Sequence, residues 1–236
     1  MNLPPSTKIQ TALENGGYEL RGQFMLGSNY TFLVDVHHEG ETLQAVYKPS
    51  KGEQPLWDFP DNTLALREVA AYVLSEALGV HIVPFTVYRD DGPHGPGSLQ
   101  HYINYDIEYH YFNFTPEDRE KLRPVVLFDA LANNADRKGS HVFFEDGTNH
   151  LYAIDHGICF HEEDKLRTVI WDFAGQQIPD NLLAPLSQTE GWSALFERYL
   201  SPGEIRALLH RADILRATKT FPRPLQGRRA YPYPPI

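Results

Sequence analysis

The sequence predicts an α+β protein of two lobes, with strands gathered in its first half and helices in its second. Three observations carry this. Five β-like segments precede residue 104 with a single helical segment among them, and the apolar period changes from two to 3.6 after Ile103. Beyond that point come helical patterns, one tight hairpin and more helical patterns. The expected organisation is a small antiparallel-sheet N-lobe with one helix over 1–103, a mostly helical C-lobe over 104–218, and a Pro-rich basic tail over 219–236.

Tyr18–Met25 and Tyr30–His37 are rich in aromatic and β-branched residues and flank the turn LGSN. Thr42–Lys48 is a third strand closed by Pro49, so the three read as a meander. The turn at Gly27, Ser28 and Asn29 offers backbone N–H groups and a hydroxyl to a phosphate, but without a GxGxxG pattern it reads first as a hairpin turn. Ser50–Asp61 is a loop. Asn62 or Thr63 then caps a helix that stops at Gly79. Leu66, Val69, Ala70, Val73, Leu74 and Ala77 form its apolar face, and Glu68 lies nearly opposite, flanked by Ala71 and Tyr72. A helix clamped between a sheet and a second lobe has this pattern. His81–Tyr88 and Ser98–Ile103 read as two more strands joined by a Gly/Pro loop.

Asn104–Asn113 connects the lobes. Thr115, Pro116, Glu117 and Asp118 open a helix, which Pro124 must kink or divide before Val125–Asn133 continues it. The stretch Asn133–Gly157, NNADRKGSHVFFEDGTNHLYAIDHG, is a polar loop, two strands about the turn Asp146-Gly147, and a second polar loop. A hairpin returns the chain to its start, which brings Asp136 and His141 beside Asp155. Two carboxylates and an imidazole around one point can hold a divalent cation and accept a hydroxyl proton. The same residue types also cap turns without doing chemistry. Ile158–Gly175 is poorly periodic and reads as a long surface loop. Ile178–Leu186 and Glu190–Leu200 are short helical patterns. Ser201, Pro202 and Glu204 open a last amphipathic helix through Leu215. The tail from Lys219 has four basic and no acidic residues and reads as extended, with a composition common in disordered segments.

A formal net charge of −10 argues against a nucleic-acid partner held through its phosphate backbone, and leaves room for a small phosphorylated ligand in a locally basic pocket. Cys159 is the only cysteine, so an intrachain disulfide is excluded. With no secretory h-region and no apolar run of membrane-spanning length, the chain reads as cytoplasmic, without a transmembrane segment. Oligomeric state is not legible.

That order of elements, with these polar residues at its joints, resembles the protein-kinase-like fold, and within it the phosphatidylinositol 3-/4-kinase-like atypical kinases and their bacterial branch. The resemblance runs from about Gly27 to Gly157. Beyond Gly157 only the presence of several helices matches. It implies ATP as the nucleotide, with Mg2+ or Mn2+. Lys48 in VYKP would hold the nucleotide phosphates, with Glu68 in LREVAAY as its carboxylate partner. Ser28 and Asn29 would lie over the phosphates. Gln100–Ile103, with Gln100 and Tyr102, would be the hinge beside the adenine. NADRKGSH looks like the lipid-kinase catalytic loop, with Asp136 as catalytic aspartate, Lys138 toward the γ-phosphate and His141 at the downstream metal position. Asp155 in DHG would be the main metal ligand. Phosphoryl transfer needs a cation on the phosphates, metal to neutralise developing charge and a carboxylate near the acceptor hydroxyl, and Lys48, Asp155 and Asp136 supply these roles.

Three departures bear on this reading: His141 replaces the usual asparagine, Lys138 replaces a histidine, and the loop at Gly27 is poor in glycine. The acceptor, whether protein, lipid or small molecule, is not specified. Three other readings stay open. One is a non-catalytic nucleotide-binding module, and another is a kinase-like AMP transferase. The third is a metal-dependent hydrolase built on Asp136, His141, Asp155, His156 and His161.

Overall fold

The computed structural model describes residues 7–24 and 30–236. The turn expected at Gly27, Ser28 and Asn29 lies outside these residues. A helix absent from the sequence expectation comes first, α1 (Thr7–Asn15). Its apolar residues Ile9, Ala12 and Leu13 recur at helical spacing, and Leu13 is fully buried in the small-lobe core.

Five strands follow: β1 (Gly17–Gln23), β2 (Phe32–His38), β3 (Glu41–Pro49), β4 (Thr86–Arg89) and β5 (Gly97–His101). They form one antiparallel sheet in the order β1-β2-β3-β5-β4. Strand periodicity sorts its two faces. Val34, Val36, Ala45, Tyr47 and Leu99 pack inward with Leu13 and Phe85. Val46 and Lys48 alternate with these and reach the interlobe cleft. β4 starts at Thr86, later than expected. The preceding amides of Ile82 and Val83 donate to the Ser75 hydroxyl at 2.8 and 3.2 Å instead of to a strand.

Helix α2 (Leu64–Ala77) lies between the sheet and the helical lobe, against β4 and β5 on one side and α4 and α6 on the other. It stops at Gly79, whose φ of +65° suits glycine. Its start differs from expectation. Thr63 turns its hydroxyl to the Pro60 carbonyl at 2.7 Å, and the first helical amides, Leu64 and Ala65, donate to the Glu53 carboxylate at 3.2 and 3.0 Å.

The larger lobe comprises α3 (Pro116–Glu120), α4 (Arg123–Ala132), the hairpin β6 (Val142–Phe144) and β7 (Leu151–Ala153), α5 (Asp180–Leu183), α6 (Trp192–Phe196) and α7 (Pro202–Thr218). Pro124 in the first turn of α4 divides the helical stretch opened at Thr115. Around the buried α4 residues Val125, Leu127, Phe128 and Leu131 pack Phe160, Ile170, Phe196 and Leu208.

Two expectations are corrected here. Residues 158–175 are irregular but not a surface loop, since Cys159, Phe160, Val169, Ile170 and Phe173 are buried. The backbone is satisfied by other loops rather than by a ladder: Phe160 donates to Ala132 O at 2.5 Å, and Arg167 to Asn134 O at 2.9 Å. The tail is placed against the helical lobe. Phe221 is buried, Ala230 O accepts from Thr168 N at 3.1 Å and from Trp171 Nε1 at 3.2 Å, and Pro235 O accepts from Gly139 N at 2.8 Å.

Candidate active site

The cleft between sheet and helical lobe has a volume of about 360 Å³ and contains Lys48, Glu68, Gln100, Tyr102, Asp136, Lys138, His141 and Asp155 among its lining residues. Lys48, on the cleft face of β3, forms an ion pair with Glu68 of α2 and donates to Asp155 Oδ1 at 2.9 Å. Glu68 is fixed at its other oxygen, where Oε2 accepts the His156 backbone N–H at 3.1 Å. Burial favours an uncharged Lys48, but the Asp155 and Glu68 carboxylates outweigh this and raise its pKa.

Asp155 follows β7 in the left-handed region, with φ +63°, a conformation that a non-glycine residue holds only when its surroundings impose it. Its side chain is 48% exposed at the cleft mouth. Oδ2 lies 3.3 Å from His141 Nε2. Lys48 beside it holds the Asp155 carboxyl well below the usual carboxylate range. His141, at the start of β6, is buried, which pushes its ring down to about 4 and leaves a neutral imidazole able to ligate or accept.

The loop from Asn134 to His141 is built around a residue whose part the sequence reading missed. Arg137 is fully buried. Its Nε and Nη2 donate to Asp129 of α4 at 2.9 Å, and Nη1 donates to the carbonyls of His141 and Ile154 at 3.2 and 2.8 Å. One guanidinium thus ties α4 to both ends of the hairpin. Nη2 also donates to His156 Nε2 at 2.7 Å. An accepting Nε2 requires a neutral ring with its proton on Nδ1, which lies 3.9 Å from Glu68 Oε2. In sequence only its adjacency to Asp136 singles Arg137 out, and Asp129 eight residues before it is not marked as its partner. The burial of Arg137 was not legible.

Asn134 accepts the Asp136 N–H at 2.9 Å and so sets the direction of that carboxylate. Asp136 pairs with Lys138 at 3.2 Å. Burial raises the Asp136 carboxyl, and Lys138 only partly offsets this. At the expected hinge, the Gln100 side chain donates to Thr86 Oγ1 at 2.8 Å. The Tyr102 N–H is taken by Gln44 O at 3.0 Å. Apolar walls come from Val46, Pro84, Ile103 and Ile154, and Phe143 stacks on Tyr105 with centroids 3.7 Å apart. A flat heteroaromatic ring suits such a slot.

The pair Asp155–His141 fits a metal whose remaining ligands come from a nucleotide, because Mg2+ sites use one or two carboxylates plus substrate phosphates. No self-sufficient metal cluster of three or more His, Cys, Asp or Glu occurs among the described residues. The hydrolase constellation is not assembled either. The His156 Nε2 is committed to Arg137, while His161 is bonded to Asp58 O at 2.9 Å and to the Glu163 N–H at 2.9 Å and does not line the cleft. Among the described residues no helix is long and apolar enough to cross a membrane.

No protein-family model matches the chain. The sequence is similar to Protein Rv2133c of Mycobacterium tuberculosis, with 37% identity across 94% of this chain and 93% of that one. The fold is similar to that of the Helicobacter pylori proinflammatory kinase CtkA, with a TM-score of 0.55, 12% identity, and 88% of this chain and 94% of that one covered. It is also similar to hydra Fam20 with sugar, with a TM-score of 0.61, 13% identity, and coverage of 92% and 89%. The two-lobed arrangement is therefore kinase-like.

Proposed function

This chain belongs to the family of Protein Rv2133c, and on that premise we propose that it is an ATP-dependent phosphotransferase of the phosphatidylinositol 3-/4-kinase-like kind. The acceptor is a hydroxyl-bearing molecule. One observation carries the reading: Lys48 bridges Glu68 and Asp155 across a cleft with an apolar slot on one side and Asp136 on the other. An ammonium held charged at that point meets nucleotide phosphates as a point charge. Asp155 and His141 would hold Mg2+ or Mn2+, which when bound neutralises charge on the transferred phosphoryl group. Asp136 orients the acceptor hydroxyl and takes its proton; its raised carboxyl makes it a better base than a solvated aspartate. Lys138, paired with it in the resting chain, turns to the γ-phosphate. The His141 imidazole is a softer donor than an amide oxygen, which favours Mn2+ relative to sites with asparagine there.

One observation favours a second reading, a nucleotide-binding module without transfer: Lys138 already neutralises Asp136. Metal-dependent nucleotide binding tests the shared part. Asp155→Ala should abolish the Mg2+- or Mn2+-dependent component of ATP affinity, and His141→Asn should keep binding and move the preference toward Mg2+. Unchanged metal titrations in both variants would overturn the assignment. ATP labelled separately at the α- and γ-phosphates, incubated with enzyme and cell extract, then separates phosphoryl from AMP transfer and shows the acceptor by mass spectrometry.

A further inference from the structure

A second cavity, larger than the cleft at about 630 Å³, opens between α7, residues 162–167 and the tail, and shares no lining residue with the cleft. Its size falls within the range of roughly 300–1,000 Å³ usual for small-molecule sites. Five arginines line it: Arg167, Arg211, Arg223, Arg228 and Arg229. Among the described residues none of the five has a carboxylate within ion-pair distance. Three acids share the lining, and of these Asp164 lies near enough to Arg211 to favour its charged form without pairing with it. Glu163 is engaged by Lys165 at 3.4 Å, the Glu162 carboxylate lies against Gly203 at the start of α7, and Asp164 Oδ1 accepts the Leu166 N–H at 3.3 Å.

Arg211 gives the strongest single observation. Its Nε donates to Leu131 O at 2.7 Å and its Nη1 to His161 O at 3.3 Å, which fixes the guanidinium plane. Its Nη2 is shielded from solvent and, among the described residues, has no hydrogen-bond partner. A buried N–H without an acceptor is costly, by about 1–3 kcal/mol, and more for a charged group, so an acceptor added at this end of the cavity would be stabilising. Burial pushes this guanidinium down to about 10, which shows the cost of holding it there. The lining also carries apolar surface from Trp171, Ile214, Leu215 and Leu225. In a chain with a net charge of −10 this concentration of unpaired cations stands out against the average surface.

We propose that this cavity is a binding site for a small soluble phosphate monoester with an apolar body, separate from the nucleotide cleft. Guanidinium groups from α7, from residue 167 and from the tail line one cavity, a charge that suits the three oxygens and up to two charges of a phosphate better than the two oxygens of a carboxylate. Trp171 and the leucines cover the organic part. The concavity of the site selects a small molecule over a flat lipid surface.

Phenyl phosphate carries both features and serves as the probe, titrated calorimetrically into the full chain in phosphate-free buffer of low ionic strength. Inorganic phosphate and phenol isolate the two halves, and phosphatidic acid in phosphatidylcholine vesicles tests the lipid source. The expected result is one site for phenyl phosphate, weaker binding of inorganic phosphate and none of phenol. The Arg167→Gln/Arg223→Gln variant should lose roughly tenfold or more in affinity, the loss of about one charge-assisted contact. Its melting temperature without ligand should equal or exceed that of the parent chain, because like charges have been removed. Lys48→Met should bind phenyl phosphate as the parent does. Equal affinity in the arginine variant, or loss in Lys48→Met, would overturn the site. So would binding of the vesicles without binding of phenyl phosphate.

Discussion

At the scale of single residues the site is a set of charges placed so that each suppresses another's neutral or mobile form. Glu68 and Asp155 favour the charged form of Lys48 against its burial, and Glu68 is held at one oxygen by Lys48 and at the other by the His156 N–H. His141 and His156 are the opposite case, two rings that burial keeps neutral, with Arg137 also acting against protonation of His156. That has a consequence for acid stability. The unfolded chain takes up protons at about pH 6.5 that the native chain refuses. Stability is therefore full above that value and is lost as pH falls toward about 4, the native value of His141. For His141 alone the loss reaches roughly 3 kcal/mol at most, since each tenfold drop in proton affinity corresponds to about 1.4 kcal/mol. Thermal melts between neutral pH and pH 4.5 should show a shallower decline for His141→Asn than for the parent chain. An equally steep decline would contradict a buried neutral ring at 141.

At the scale of elements, α2 decides whether the site is assembled, because it carries Glu68. It is anchored at its start by the Glu53 carboxylate and in its first turns by Arg67, fully buried, which pairs with Glu204 of α7 and donates to Cys159 O at 2.6 Å. Arg67→Met would leave Glu204 buried and uncompensated, at a cost of about 3–5 kcal/mol. Adding Glu204→Gln, which retains the capping interaction with Ser201, should recover part of that loss. Denaturant melts of both variants check this, and a double variant no more stable than the single one would refute the buried pair as the anchor. The sequence made most of these elements legible where a periodic pattern met its own punctuation: α2 ends at Gly79, α4 begins at Pro124, and β6 and β7 turn about Gly147. It was silent where order comes from contacts remote in sequence. Residues 158–175 have no period because their amides pair singly with Ala132, Asn134 and the tail. Lys48 and Glu68 could be paired through the kinase resemblance of the strand and helix that carry them, whereas Arg137 could not be read as buried, since nothing in its neighbours marks Asp129 as its partner. The start of α1 was readable from Ile9, Ala12 and Leu13 but is short and weakly apolar.

At the scale of the whole molecule, a kinase-like pair of lobes carries its tail back along the larger lobe to the loop before β6, where Pro235 accepts the Gly139 N–H three residues after Asp136. A chain ending at Phe221 loses the acceptors of Gly139, Thr168 and Trp171 together. If this costs about 2 kcal/mol, its melting temperature should fall by roughly 4–8 °C, and a truncated chain melting with the full one would show that the tail contributes no stability. On the proposed function, this architecture transfers phosphate with Asp136 as its base. The most direct measurement takes ATP affinity, melting temperature and transfer of γ-labelled phosphate on one preparation of Asp136→Asn. Affinity and melting should match the parent chain, while transfer falls by roughly two to four powers of ten, the range for removing a positioned base. Transfer by Asp136→Asn at the parent rate would contradict the account.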